Sequence, residues 1–128
     1  MRTNDCDRNI RAGRLAKARE FERAAIDVLA LADEASDVGA AYVTLAVHAG
    51  IAAADVVCCA RLGRYHRGER HDDAVALLAT ADPAAAKALR VLLGLKTAAG
   101  YSHVPNSQSD RLRAERALET LMAAAVDR

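Results

Sequence analysis

Aromatic side chains are almost missing from this chain. They make up 3% of its 128 residues, as Phe21 and three tyrosines, and there is no tryptophan. β-Branched residues are sparse too, so the usual strand formers are in short supply and a sheet-based core is not expected. Proline occurs only twice, once in a helix-start signal and once in a loop. An excess of charge of either sign is also lacking. The net charge is +1 and the pI about 7.8, which excludes a global electrostatic pull toward nucleic acid or membrane. The three cysteines, Cys6, Cys58 and Cys59, are odd in number and show no disulfide-framework spacing. Neighbouring cysteines on one helix diverge and do not readily bridge each other, so thiols in a reducing cytoplasm are expected. The opening MRTNDCDRNIRAGR contains no apolar segment of the kind a signal peptide needs. Internal repeats are absent.

What remains is rich in alanine. There are 31 alanines, and hydrophobic residues total 52%. A core filled with Ala, Leu and Val suits closely approaching helices, and the length suits one domain. The pattern predicts five helices and no strand, arranged as an all-α, antiparallel up-and-down helical bundle of four long helices plus one short one. Residues 1–8 are expected to form a flexible tail, and 9–128 a single bundle domain. The first helix should run from about Asn9 to Ala35, with Leu15, Ala18, Phe21, Ala25, Val28, Leu29 and Ala32 on its apolar face. The second should start near Ser36 or Asp37 and reach about Arg61. It is long and apolar enough to be checked as a membrane span, but His48 and Asp55 lie within it. A central Asp costs roughly 2.5–3.5 kcal/mol on insertion scales, so a buried bundle helix is expected and no membrane association. Gly63 ends it, and a short helix follows over His71–Thr80. Asp82 as cap and Pro83 at the first helical position open the fourth helix, which Gly100 should end. The sequence YSHVPNSQS reads as a loop. Ser107 with Asp110 forms a capping box for the last helix, whose buried stripe should be Leu112, Leu118, Leu121, Met122 and Ala125.

Three groups of residues could carry chemistry. The first is RLGRYHRGERH, where Arg61, Arg64, Arg67 and Arg70 recur at every third position around His66 and His71. Arg61 with His66, and Arg64 with His71, match the spacing of a metal-independent ribonuclease pair, in which His moves a proton and Arg holds a phosphate. The plainer reading is a solvated helix end and turn, since Glu69, Asp72 and Asp73 nearly cancel the arginines. His66, His71, Asp72 and Asp73 match no zinc spacing, so neither a metal nor a cofactor is expected. The second group is His48 with Asp55, seven apart and therefore on one face of the second helix. They are either a satisfied core or interface pair, or a polar site in the bundle or at a dimer seam. The third is LKTAAGYSH. Lys96 shares a face with Leu89 and Leu92, so its ammonium needs a carboxylate or an anion, and Tyr101 and His103 follow at the helix exit.

Together these pieces resemble the HEPN superfamily of small bacterial helical proteins. The counterparts are YVTLAVHAGIAAADVVCCARLGRYHRGERHDDAVALL (Tyr42 to Leu78), LKTAAGYS (Leu95 to Ser102) and the helix after Ser109, so the likeness spans about residues 15 to 126. It implies a HEPN-like bundle that is often a homodimer. It also implies RNA as a substrate class for active members, toxin–antitoxin or defence contexts, and a small protein partner such as an antitoxin or a nucleotidyltransferase-like protein. The family's catalytic Arg and His map onto Lys96 and His103, with Tyr101 between them as an orienting group. Arg61, Arg64, His66 and His71 would flank the site. Lys96 stands where the family has Arg, and Gly100 stands where it has Asp. Lys offers a point charge in place of a planar fork. The resemblance therefore implies a non-catalytic or degenerate member acting as a dimeric binding module. The alternative is a metal-independent ribonuclease using Lys96 and His103. A bundle that takes a small ligand or metal between its helices is a third reading.

Overall fold

The structure is a computed structural model that describes residues 1–126. Five α-helices form the bundle: α1 (Arg8–Leu31), α2 (Gly39–Leu62), α3 (His71–Ala81), α4 (Pro83–Tyr101) and α5 (Gln108–Val126). A short 3-10 turn, Ala35–Val38, precedes α2, and two three-residue strands, β1 (Thr3–Asp5) and β2 (Arg64–His66), form a small antiparallel ribbon.

The all-α expectation holds, and α2 is the central helix. Fourteen of its residues are buried, and it packs against α1, α3, α4 and α5. Small side chains make this possible. Gly50 faces Leu92 of α4 and Leu121 of α5 so closely that a Cβ there would overlap the Leu92 side chain. Although α2 is long and apolar enough to cross a membrane, two thirds of its most apolar stretch (67%) is buried within the bundle.

Several local signals read from the sequence act as expected. The Asp82 carboxylate accepts from the Ala85 amide at 3.0 Å, and Pro83 opens α4. Ser107 and Asp110 cap α5 reciprocally, at 3.1 and 3.3 Å. Gly63 ends α2 in the left-handed region at φ 71°, where its amide bonds the Cys59 carbonyl; this backbone favours glycine.

Four readings are corrected. The N-terminal segment is not a free tail: Thr3, Asn4 and Asp5 pair with His66, Tyr65 and Arg64. Alternating hydrophobicity gives no hint of so short a ribbon. The cysteines are not all thiols, because Cys6 and Cys59 form a disulfide across 53 residues of chain, while Cys58 remains free and buried. Gly100 does not stop α4, which continues through Tyr101. Leu112 is 41% exposed and lies outside the buried stripe of α5, whose core residues are Ala114, Ala117, Leu118, Leu121, Met122 and Ala125.

Candidate functional site

The residues with chemical potential gather in a cleft of about 630 Å³, where α2, α4, the start of α3 and the ribbon meet. Its polar lining comes from Asp55 on α2, His66 on β2, His71 at the first turn of α3 and Lys96 on α4. Arg14 of α1, Asn4 of β1 and, from the turn before α3, Arg67 and Glu69 complete it. Ile51, Leu89 and Leu93 give it an apolar floor. These positions follow from local causes. The αL glycine at 63 turns the chain sharply out of α2 into β2. The next turn, with Gly68 at φ 111°, delivers His71 back toward α4.

Lys96 meets His71 here. Its ammonium Nζ lies 3.2 Å from His71 Nε2. An ammonium has only hydrogens to give, so Nε2 must accept and the imidazole must be neutral. Burial, then the Lys96 charge, then His66 lower the His71 pKa, which favours that neutral form. Lys96 has no carboxylate partner among the described residues. Asp55 and Glu69 line the same cleft, but among the described residues no carboxylate lies within ion-pair distance of Lys96, and a neutral ring stands beside it.

Asp55 occupies the inner wall. Its side chain is 14% exposed, and Arg14 Nε lies 3.4 Å from Oδ2. Burial raises its pKa to about 7 and outweighs the lowering by Arg14. Near neutrality Asp55 therefore exchanges a proton readily, and acid–base chemistry needs such a group. The Arg14 guanidinium also lies over the Tyr65 ring, 5.2 Å from its centroid. The Tyr65 hydroxyl accepts from Asn4 Nδ2 at 3.3 Å. The ribbon thus braces Arg14, and Arg14 positions Asp55. Beside them, burial and then the Asp55 charge push the Cys58 thiol up to about 12; such a thiol is no nucleophile at neutral pH.

The sequence candidates separate. Asp55, His66, His71 and Lys96 come together. His48 does not join them: it is exposed and stacks on Phe21, with ring centroids 5.3 Å apart. His48 and Asp55 do share a face, the one turned toward α1, where Phe21 and Arg14 receive them one each. Arg61 is a structural tie, its Nη1 bonding the Ala81 carbonyl at 3.0 Å and lying 3.4 Å from the Asp82 carboxylate. Arg64 is an exposed ribbon residue. Tyr101 is 82% exposed, His103 is exposed in the following loop, and neither lines the cleft. The pairing of Lys96 with His103 is therefore not formed, and His71 stands beside Lys96 in its place.

Arg14, Asn4 and Tyr65 carry no sequence signal as site residues. Arg14 looks like one of several surface basic residues on α1, and only the ribbon makes Asn4 and Tyr65 neighbours of the cleft. Among the described residues no cluster of three or more His, Cys, Asp or Glu is arranged to hold a metal ion. Comparison with known protein families, with curated proteins and with solved structures finds no match for this chain.

Proposed function

We propose that this protein is a HEPN-like binding module whose cleft receives an anionic group, with the phosphate of RNA as the class the sequence resemblance favours. The observation that carries the reading is Lys96, an ammonium in a partly apolar cleft that bonds a neutral imidazole and forms no ion pair among the described residues. A charge in such a place gains most from an anion that replaces lost solvation. His71 and His66 would then add donors around the bound oxygens. In this reading the module works as a homodimer or beside a small protein partner.

One contact favours a second reading, a metal-independent ribonuclease. Lys96 and His71 are adjacent, so once Lys96 turned its ammonium to a bound phosphate, Nε2 of the neutral imidazole would be released to take a proton from a 2′-hydroxyl. The missing Arg of the HEPN pattern weighs against it.

Titrating a short single-stranded RNA into the purified protein in the presence of EDTA separates the readings. The binding module predicts saturable binding without cleavage, weakened about ten- to a hundredfold by Lys96→Ala, the usual range for losing one charge-assisted hydrogen bond. The ribonuclease reading predicts cleavage that disappears in both Lys96→Ala and His71→Ala. RNA binding that ignores Lys96 would overturn both.

A further inference from the structure

A second concavity, which shares no residue with the polar cleft, lies between α1 and α5 and encloses about 540 Å³. Ala25, Ile26, Leu29 and Leu118 form its apolar floor, and three carboxylates, Glu22, Glu115 and Glu119, stand around it. No lysine, arginine or histidine lines it. None of the three glutamates has an ion-pair partner among the described residues. Three carboxylates around an apolar floor, with no basic side chain lining it, make the groove complementary to a cation.

An independent feature points into the same groove. Tyr42 of α2 is only 5% exposed and lines the groove, and its hydroxyl, which is accessible to solvent, forms no hydrogen bond among the described residues. Burial first, then the charges of Glu115, Glu119 and Glu22, push its pKa up to about 12. The hydroxyl is therefore neutral at any ordinary pH and sits within the field of the same three carboxylates. It offers one acceptor and one donor at the base of an acidic, apolar-floored groove.

We propose that this groove binds an organic cation, an ammonium or guanidinium carried on an apolar stem. The glutamates take the charge, Ile26, Leu29 and Leu118 take the stem, and the Tyr42 oxygen accepts a hydrogen bond from the cationic nitrogen. The size selects a small molecule over a protein surface. The volume falls within the range of about 300–1,000 Å³ usual for ligand sites, whereas a stable protein interface needs about 800 Å² from each partner. An apolar concavity with a few convergent polar groups is the ordinary form of such a site.

The test compares three probes of one shape on the wild-type protein at pH 7 and low salt: n-hexylammonium chloride, n-hexanol and sodium hexanoate, followed by calorimetry and by the NMR signals of the Tyr42 ring. The expected order is ammonium first, at least about tenfold tighter than the alcohol, with hexanoate weakest. The ammonium should shift the Tyr42 ring. The double variant Glu115→Gln, Glu119→Gln should weaken the ammonium about tenfold and leave the alcohol unchanged. Both glutamates are exposed, so these isosteric changes leave the core intact. Tyr42→Phe should weaken the ammonium several-fold. Equal affinity for ammonium and alcohol, no saturation up to about 10 mM (a free energy of about 3 kcal/mol or less), or shifts confined to residues outside the groove would each overturn the proposal. The ligand series needs no variant, so a misfolded mutant cannot blur the result.

Discussion

Asp55 shows how much one buried carboxyl can govern. It loses its proton near 3.8 in an ordinary environment but only at about 7 in the folded chain. Between those values the folded state holds more protons than the unfolded state, so this group makes stability fall as pH rises, by about 1.4 kcal/mol per unit. Replacing it with the neutral isostere should remove that slope. Asp55→Asn is expected to match the wild type at pH 4 and to be about 2–4 kcal/mol more stable at pH 8, as read from urea unfolding at the two pH values. A variant that is less stable than wild type at pH 8 would mean that the ionised Asp55–Arg14 pair stabilises the fold. His71 contributes in the opposite sense. Its pKa is lowered in the folded state, so its contribution is present above the ordinary histidine value and is lost as pH falls below it. Sequence patterning singles out Asp55 and Lys96 because a charge on an apolar face is a local anomaly visible in one helix. It misses Arg14, whose role exists only because α1 lies antiparallel along α2, pairing Arg14 with Asp55 and Phe21 with His48.

At the scale of elements, the helices pack as closely as their small residues allow. Gly50 and Gly94 make this testable, since both lie inside helices. A Cβ at Gly94 would meet nothing within 4 Å, while one at Gly50 would overlap Leu92, a side chain with no exposure. Gly94→Ala should therefore stabilise by about 0.5–1 kcal/mol through helix propensity alone. Gly50→Ala gains the same term but must displace a packed leucine at about 1–3 kcal/mol, so the net change should be a loss. Thermal unfolding of the two variants should move in opposite directions. The Asp82 cap gives a third case. Asp82→Ala should cost about 1 kcal/mol or more, because the carboxylate caps α4 and also lies 3.4 Å from Arg61. The capping box of α5, the Asp–Pro start of α4 and the apolar run of α2 are legible because each is written within a few neighbouring residues. Gly100 does not stop the helix, because a glycine only lowers helix propensity. In α4 Leu95, just after Gly94, is buried, and the helix runs one residue past Gly100, to Tyr101.

The whole molecule depends on a connection between distant parts of the chain. Cys6 and Cys59 join the N-terminal arm to the end of α2, and the arm is otherwise held by a ribbon of three residue pairs. A two-stranded ribbon of that length is marginal by itself. Reduction, or Cys6→Ser with Cys59→Ser, should lower stability by about 2–4 kcal/mol through the entropy the open chain regains. It should also speed amide exchange at residues 3–6 and 64–66 ahead of the helices. Undiminished protection of the arm after reduction would show that the ribbon stands without the bond. Neither the bond nor the ribbon could be read from the sequence, because three cysteines at unrelated spacings admit several pairings and a three-residue strand has no period to detect. Yet the arm supplies Asn4, braces Tyr65 and through it Arg14, and so closes one side of the cleft. In the cleft, Lys96 stands beside a neutral His71, placed to receive an anion. The most direct measurement is an NMR pH titration of the His71 imidazole with and without inorganic diphosphate. An anion bound at Lys96 should shift the His71 ring signals and raise its pKa, because it cancels the neighbouring positive charge that helps hold the pKa down. Lys96→Met should abolish the response. A His71 titration curve that millimolar diphosphate leaves unchanged would mean that Lys96 holds no anion there.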